Sequence, residues 1–192
     1  MAQQTITINV PEGKKAIWDE AKHQIRFEEI NILERVKSFE DACKVLNLDP
    51  EAILEGCFDN QEVALRKLKV ILKALNEGHK FNLVKGDVFY PWIRIVREDC
   101  MSSYRGSDYT KNHKISYNGK TYFLVGGSAE GGANAGLAFF YSGGGVSNSS
   151  AHIGLLSCKT REIAQYVSRN FSRLIFEACY AHHEDYNIID LV

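Results

Sequence analysis

KISYNGKTYFLV, residues 114–125, sets Asn118-Gly119 between two runs in which apolar and polar residues alternate. A two-residue connection between antiparallel strands needs positive φ at both central residues, which Asn tolerates and Gly adopts freely. The stretch therefore predicts a tight hairpin, and with it a sheet that is antiparallel at least in part.

The neighbouring segments extend that sheet. Residues 88–98, VFYPWIRIVRE, are aromatic and β-branched, and Pro91 within them points to a strand that starts or bends at a sheet edge. GLAFFYS (136–142) and HIGLLSC (152–158) supply two further strands. TREIAQYVSRNFSRLIFEACYAHH then reads as one long amphipathic helix with Thr160 as N-cap and a stripe of Ile163, Val167, Phe171, Leu174, Ile175 and Ala178.

Upstream of the sheet the pattern is helical. Val63, Leu65, Leu68, Ile71, Leu72 and Leu75 form the clearest stripe, and Gly78 is placed to end that helix. Ser38 followed by Asp41 resembles a capping box, with Phe39, Ala42, Cys43 and Leu46 as the buried face of its helix. Asp49-Pro50 starts a shorter one. Thr5 to Val10 alternates like a strand, and the segment from Lys15 to Val36 has Ile17, Ala21, Ile25, Ile32 and Val36 near helical spacing. Much of that segment reads as helix, with a strand near Ile30 to Val36 as the alternative.

Runs of helices followed by runs of strands predict an α+β fold. Its expected form is a helical N-terminal half, then an antiparallel sheet of about four strands packed by the long C-terminal helix. Two units are expected, an N-terminal strand and helical arm over 1–37 and an α+β body over 38–192. A chain of 192 residues buries roughly 70% of its unfolded surface, so it needs neither metal nor disulfide to fold. The five cysteines, Cys43, Cys57, Cys100, Cys158 and Cys179, form no CxxC pair and read as free thiols in a reducing compartment. No signal peptide is read at the start of the chain, and no apolar run approaches the ~20 residues that span a membrane. The formal net charge of -1 offers no general attraction to nucleic acid.

Chemistry-bearing motifs are few. Glycine clusters at Gly126-Gly127, Gly131-Gly132 and Gly143-Gly144-Gly145, but without the GxGxxG or GxxxxGK[ST] spacing that cradles phosphate at a helix start. Two loops, Gly126 to Ala135 and Gly143 to Ala151, are read instead as contact surfaces. Ser149, Ser150 and His152 lack a nucleophile elbow and an acid partner. His182-His183-Glu184-Asp185 fits a helix end better than a metal site. The best binding group is aromatic and cationic: Tyr90, Trp92, Arg94, Arg97, Tyr104 and Arg105, with His152 nearby in the glycine-rich region. Rings for stacking beside guanidinium forks suit a nucleotide or another small anion. No catalytic residue, metal ligand or cofactor follows from the sequence, and the expectation is a protein that is not an enzyme.

VKSFEDACKVLNLDP, LRKLKVILKALNEG, YPWIRI and SCKTREIAQYVSRNF, in this order, resemble a family of small uncharacterised proteins encoded by phages and prophages of Bacteroidetes, crAss-like phages among them. The resemblance covers roughly residues 33 to 180. The N-terminal arm and Glu98 to Lys114 are peculiar to this chain, and Gly154-Leu155-Leu156-Ser157 stands where the family carries an Arg before its last apolar run. The resemblance implies a phage protein acting in the host cytoplasm. Such a protein would be a homo-oligomer that sequesters a nucleotide-type signal, or inhibits a host protein, to counter host defence. The alternative is a structural protein of the virion.

Overall fold

The computed structural model describes residues 7–81, 88–99, 110–117, 119–132, 156–179 and 187–190. Strands β1 (Lys14–Asp19) and β2 (Gln24–Glu29) come first, followed by helices α1 (Ile32–Arg35), α2 (Phe39–Leu46), α3 (Pro50–Leu54) and α4 (Asn60–Leu75). Strands β3 (Val88–Arg97), β4 (Thr110–Tyr117) and β5 (Lys120–Gly132) precede α5 (Arg161–Asn170), α6 (Ser172–Cys179) and β6 (Asn187–Asp190). The fold is mixed α+β with antiparallel sheets.

The local start signals act as read. Ser38 accepts from the Asp41 amide at 3.0 Å while the Asp41 carboxylate accepts from the Lys37 amide at 3.0 Å, so two early donors are satisfied reciprocally. Asp49 caps α3 through the Glu51 amide, and Thr160 caps α5 through that of Ile163. Between the strands of the 114–125 hairpin, Tyr117 pairs with Lys120, which leaves two residues for the turn, and Gly119 has φ +71°. A Cβ there would meet nothing within 4 Å, so the cost of a side chain is conformational alone. Gly119→Ala should therefore lose about 1–2 kcal/mol in denaturant unfolding, the penalty of the left-handed region for an L-residue.

Strand order in the larger sheet is β3-β5-β4-β6, antiparallel throughout, with Pro91 on edge strand β3. One face is covered by α5, which packs on β5 and β3, and α6 carries the contact onward to α4, against which α2 lies. The core follows this layering. Leu68, Ile71 and Leu75 of α4 are buried with Val36, Ala42 and Cys43 on one side and Ile163, Val167, Phe171 and Ile175 on the other. A second cluster of Ile115, Leu124 and Phe176 joins α6 to the sheet.

Several expectations are corrected. Lys15 to Val36 is not a helix: β1 and β2 form a two-stranded antiparallel hairpin with Trp18 opposite Ile25 and Ala16 opposite Phe27, and only the single turn α1 follows. Its residues fit both periods, and the aromatic and β-branched side chains favour the extended one. Of the strand read over Thr5 to Val10, residues 7–10 are described and belong to no sheet. The long C-terminal helix breaks at Phe171 (φ -125°, ψ 23°). After the break Phe176, off the periodic stripe, is fully buried, while Leu174, on it, is half-buried. HIGLLSC supplies no strand among its described residues, only a single bridge from Cys158 to Phe89, and GLAFFYS lies outside them. Strand β6 was not anticipated.

Gly126 to Gly132 is not a loop but the second half of β5. Val125 pairs with Arg94 and Ser128 with Trp92, so Gly126-Gly127 stand against Ile93 alone. Such a two-against-one bulge bends the strand, and residues without side chains fit it at no steric cost. The remainder of both glycine-rich loops lies outside the described residues.

Candidate functional site

The chain reverses direction at the end of α4. Asn76 closes the helix with its amide on Leu72 O at 3.0 Å, and Glu77 (φ +48°) and Gly78 (φ +72°) both take the left-handed conformation. Left-handed residues turn the chain back sharply, and the His79 amide donates to Asn76 O at 2.9 Å. His79 and Phe81 thereby return beside the last turns of α4, their rings edge to face with centroids 4.9 Å apart. Lys69 and Lys73, four residues apart and so neighbours on the helix surface, complete a cleft of about 310 Å³ with Leu72, Asn76, Gly78 and Ser157.

Asn76 fixes the wall of this cleft. It is 7% exposed, its Nδ2 donates to Ser157 O at 2.7 Å and its Oδ1 accepts from the Lys159 amide at 2.9 Å. One side chain thus ties the end of α4 to the entry of α5. The nearby acid, Glu77, is paired with Lys159. Among the described residues neither Lys69 nor Lys73 forms an ion pair. Two like charges on one helix face repel each other, and an anion between them relieves that repulsion.

Two other depressions are less suited to an anion. One, of about 560 Å³ between α1 and α5, sets Glu34 and Glu162 against Lys37, the single cation among its described residues, and its Tyr166 hydroxyl is already donated to Val36 O at 2.8 Å. Burial, and then the Asp41 charge, raise the Tyr166 pKa. The other, of about 360 Å³, is lined by Arg97, Glu98, Asp99, Lys120 and Thr121, with opposite charges side by side.

The residues singled out in the sequence are only partly brought together. Tyr90 is half-buried in β3, opposite Glu130. Trp92 and Arg94 occupy β3 positions opposite Ser128 and Val125. Arg97 ends the strand, exposed, with its Nε 2.5 Å from Asp99 Oδ1. Tyr104, Arg105 and His152 lie outside the described residues, as does the His182–Asp185 group. Among the described residues no cluster of three His, Cys, Asp or Glu could hold a metal ion. Burial pushes the Cys158 thiol up to about 12 and that of Cys179 to about 11, so both stay protonated near neutral pH and are poor nucleophiles. No helix among the described residues is long and apolar enough to cross a membrane.

Sequence reasoning passed over Lys69, Lys73, Asn76, His79 and Phe81. A KxxxK pair running into a helix stop was the available signal, but it looks like any solvated helix face until the chain is known to fold back. Comparison with known protein families, with curated proteins and with solved structures finds no match to the chain.

Proposed function

We propose that this is a non-enzymatic binding protein that captures a small anionic ligand of nucleotide type in the cleft at the end of α4. The observation that carries the reading is the Lys69–Lys73 row, without an ion pair among the described residues, beside the His79–Phe81 rings, over a floor that includes Leu72. A phosphate between two ammonium groups relieves their mutual repulsion, while a planar base gains contact with rings and an apolar floor. The carbonyl end of a helix itself disfavours anions, so affinity rests on the side-chain charges and should fall steeply with salt. In the setting that the phage resemblance implies, capture would sequester a nucleotide signal in the host cytoplasm.

The test is a nucleotide panel, with inorganic phosphate alongside, read by melting temperature and calorimetry. A ligand at a hundred times its dissociation constant adds about 2.7 kcal/mol of stability. Lys69→Glu combined with Lys73→Glu should weaken binding at least ~100-fold, at about 1.4 kcal/mol for each tenfold step, with the unliganded melting temperature unchanged. Binding by the double variant as tight as by the parent, or a panel without any response, overturns the proposal. The other reading, a structural protein of the virion, draws on the exposed hairpin, and mass spectrometry of purified particles tests it.

A further inference from the structure

The β1–β2 hairpin is not part of the four-stranded sheet. It forms its own two-stranded sheet, and a lone hairpin of this kind is marginally stable in water. One of its faces is apolar and open. Trp18 is 55% exposed, Phe27 41% and Ile25 39%, and in register they form the cross-strand pairs Trp18–Ile25 and Ala16–Phe27. The adjoining Ile8 and Val10 are also exposed, at 39% and 44%. Contiguous apolar surface on a marginal element marks a contact site.

We infer that this face docks on the same face of a second copy of the chain. Charge argues for self-association over a nucleic acid or an anionic lipid. The hairpin region balances Lys14, Lys15, Lys22 and Arg26 against Asp19, Glu20, Glu28 and Glu29, so it exerts no net pull on a polyanion. Shape argues the same way, since a two-fold interface must be complementary to itself. A two-fold axis lying between the faces and across the strands sets Trp18 of each copy over Ala16 of the other, large on small, and Phe27 over Ile25. It also brings the Lys14–Glu29 ion pair, whose atoms are 3.1 Å apart, over the turn that carries Glu20 and His23 of the other copy. Lys14 then meets Glu20, and Glu29 meets His23. The His23 ring already lies on the Trp18 side, with the two ring centroids 6.4 Å apart. Six residues of strand span about 20 Å, which covers less than the ~800 Å² per partner of a standard interface. The dimer is therefore a weak, concentration-dependent one. This inference is independent of the cleft.

Sedimentation velocity of the full chain between about 1 μM and about 200 μM brackets the range expected of an interface this small. The wild-type mass should rise from 21.7 kDa towards twice that value. Trp18→Ala and Phe27→Ala should remain monomeric throughout with the melting temperature of the body unchanged. Because either variant could unravel the hairpin, amide exchange of the unmodified protein supplies a second reading: protection at 14–19 and 24–29 should grow with concentration. A monomer at every concentration overturns the inference, as does a dimer that survives both substitutions. Hairpin protection that is independent of concentration also overturns it, because another segment of the same chain then covers the face.

Discussion

Phe176→Ala should lower the unfolding free energy by about 3–5 kcal/mol, the cost of a large buried side chain and the cavity it leaves. In a domain of this length that corresponds to a fall in melting temperature of roughly 10 °C. Phe176 is fully buried and is the α6 member of the cluster it forms with Ile115 of β4 and Leu124 of β5. The partly buried Ile93, Ile95 and Tyr122 surround that cluster. These side chains are held by strands on one side and a helix on the other, so they cannot collapse freely into the vacated space. Leu174→Ala, two residues away but half-buried, should cost markedly less. Equilibrium denaturation of both variants checks the ranking, and a Phe176→Ala protein as stable as the parent would mean that α6 does not hold the sheet.

Asn76→Ala should cost about 2–4 kcal/mol, by a different route. The substitution creates little cavity but strands the Ser157 carbonyl and the Lys159 amide, each bonded to the Asn76 side chain. A buried polar group left without a partner costs about 1–3 kcal/mol. Asn76→Asp is no rescue: it keeps an acceptor for Lys159 but loses the donor to Ser157 and buries a charge. Amide exchange at Lys159 separates this loss from a general loosening, since it should accelerate more than exchange within α2. The same variant should weaken ligand capture, because Asn76 and Ser157 form one wall of the cleft.

Signals that act over a few residues were legible in the sequence. Ser38, Asp49 and Thr160 cap helices because their partners lie two or three positions away, and the two-residue turn between Tyr117 and Lys120 was legible because backbone conformation alone dictates it. The stripe of α4 was legible too, being long enough for one period to dominate. The N-terminal hairpin was not, because Ile17, Ala21 and Ile25 approximate a helical row while Ala16, Trp18, Ile25 and Phe27 alternate. Most of this hairpin's side chains are exposed among the described residues, so burial offers little pattern to decide between them. Gly126 to Gly132 was misread because a strand held by backbone pairing needs no side chains to announce it. The cleft depends on partners more than eighty residues apart in sequence, Asn76 with Ser157 and Lys159, and no local pattern encodes that meeting.

The paired glycines of β5 have a bearing on how the chain can change in length. Deleting a residue from the middle of a strand ordinarily turns every later side chain to the opposite face. At Gly126-Gly127 two residues already stand against one, with Val125 matched to Arg94 and Ser128 to Trp92 on either side. Loss of either glycine would leave one residue facing Ile93 and both flanking matches as they are. The bulge is thus a splice point, a place in the sheet where descendants of this sequence can drop a codon and keep the flanking matches between β3 and β5.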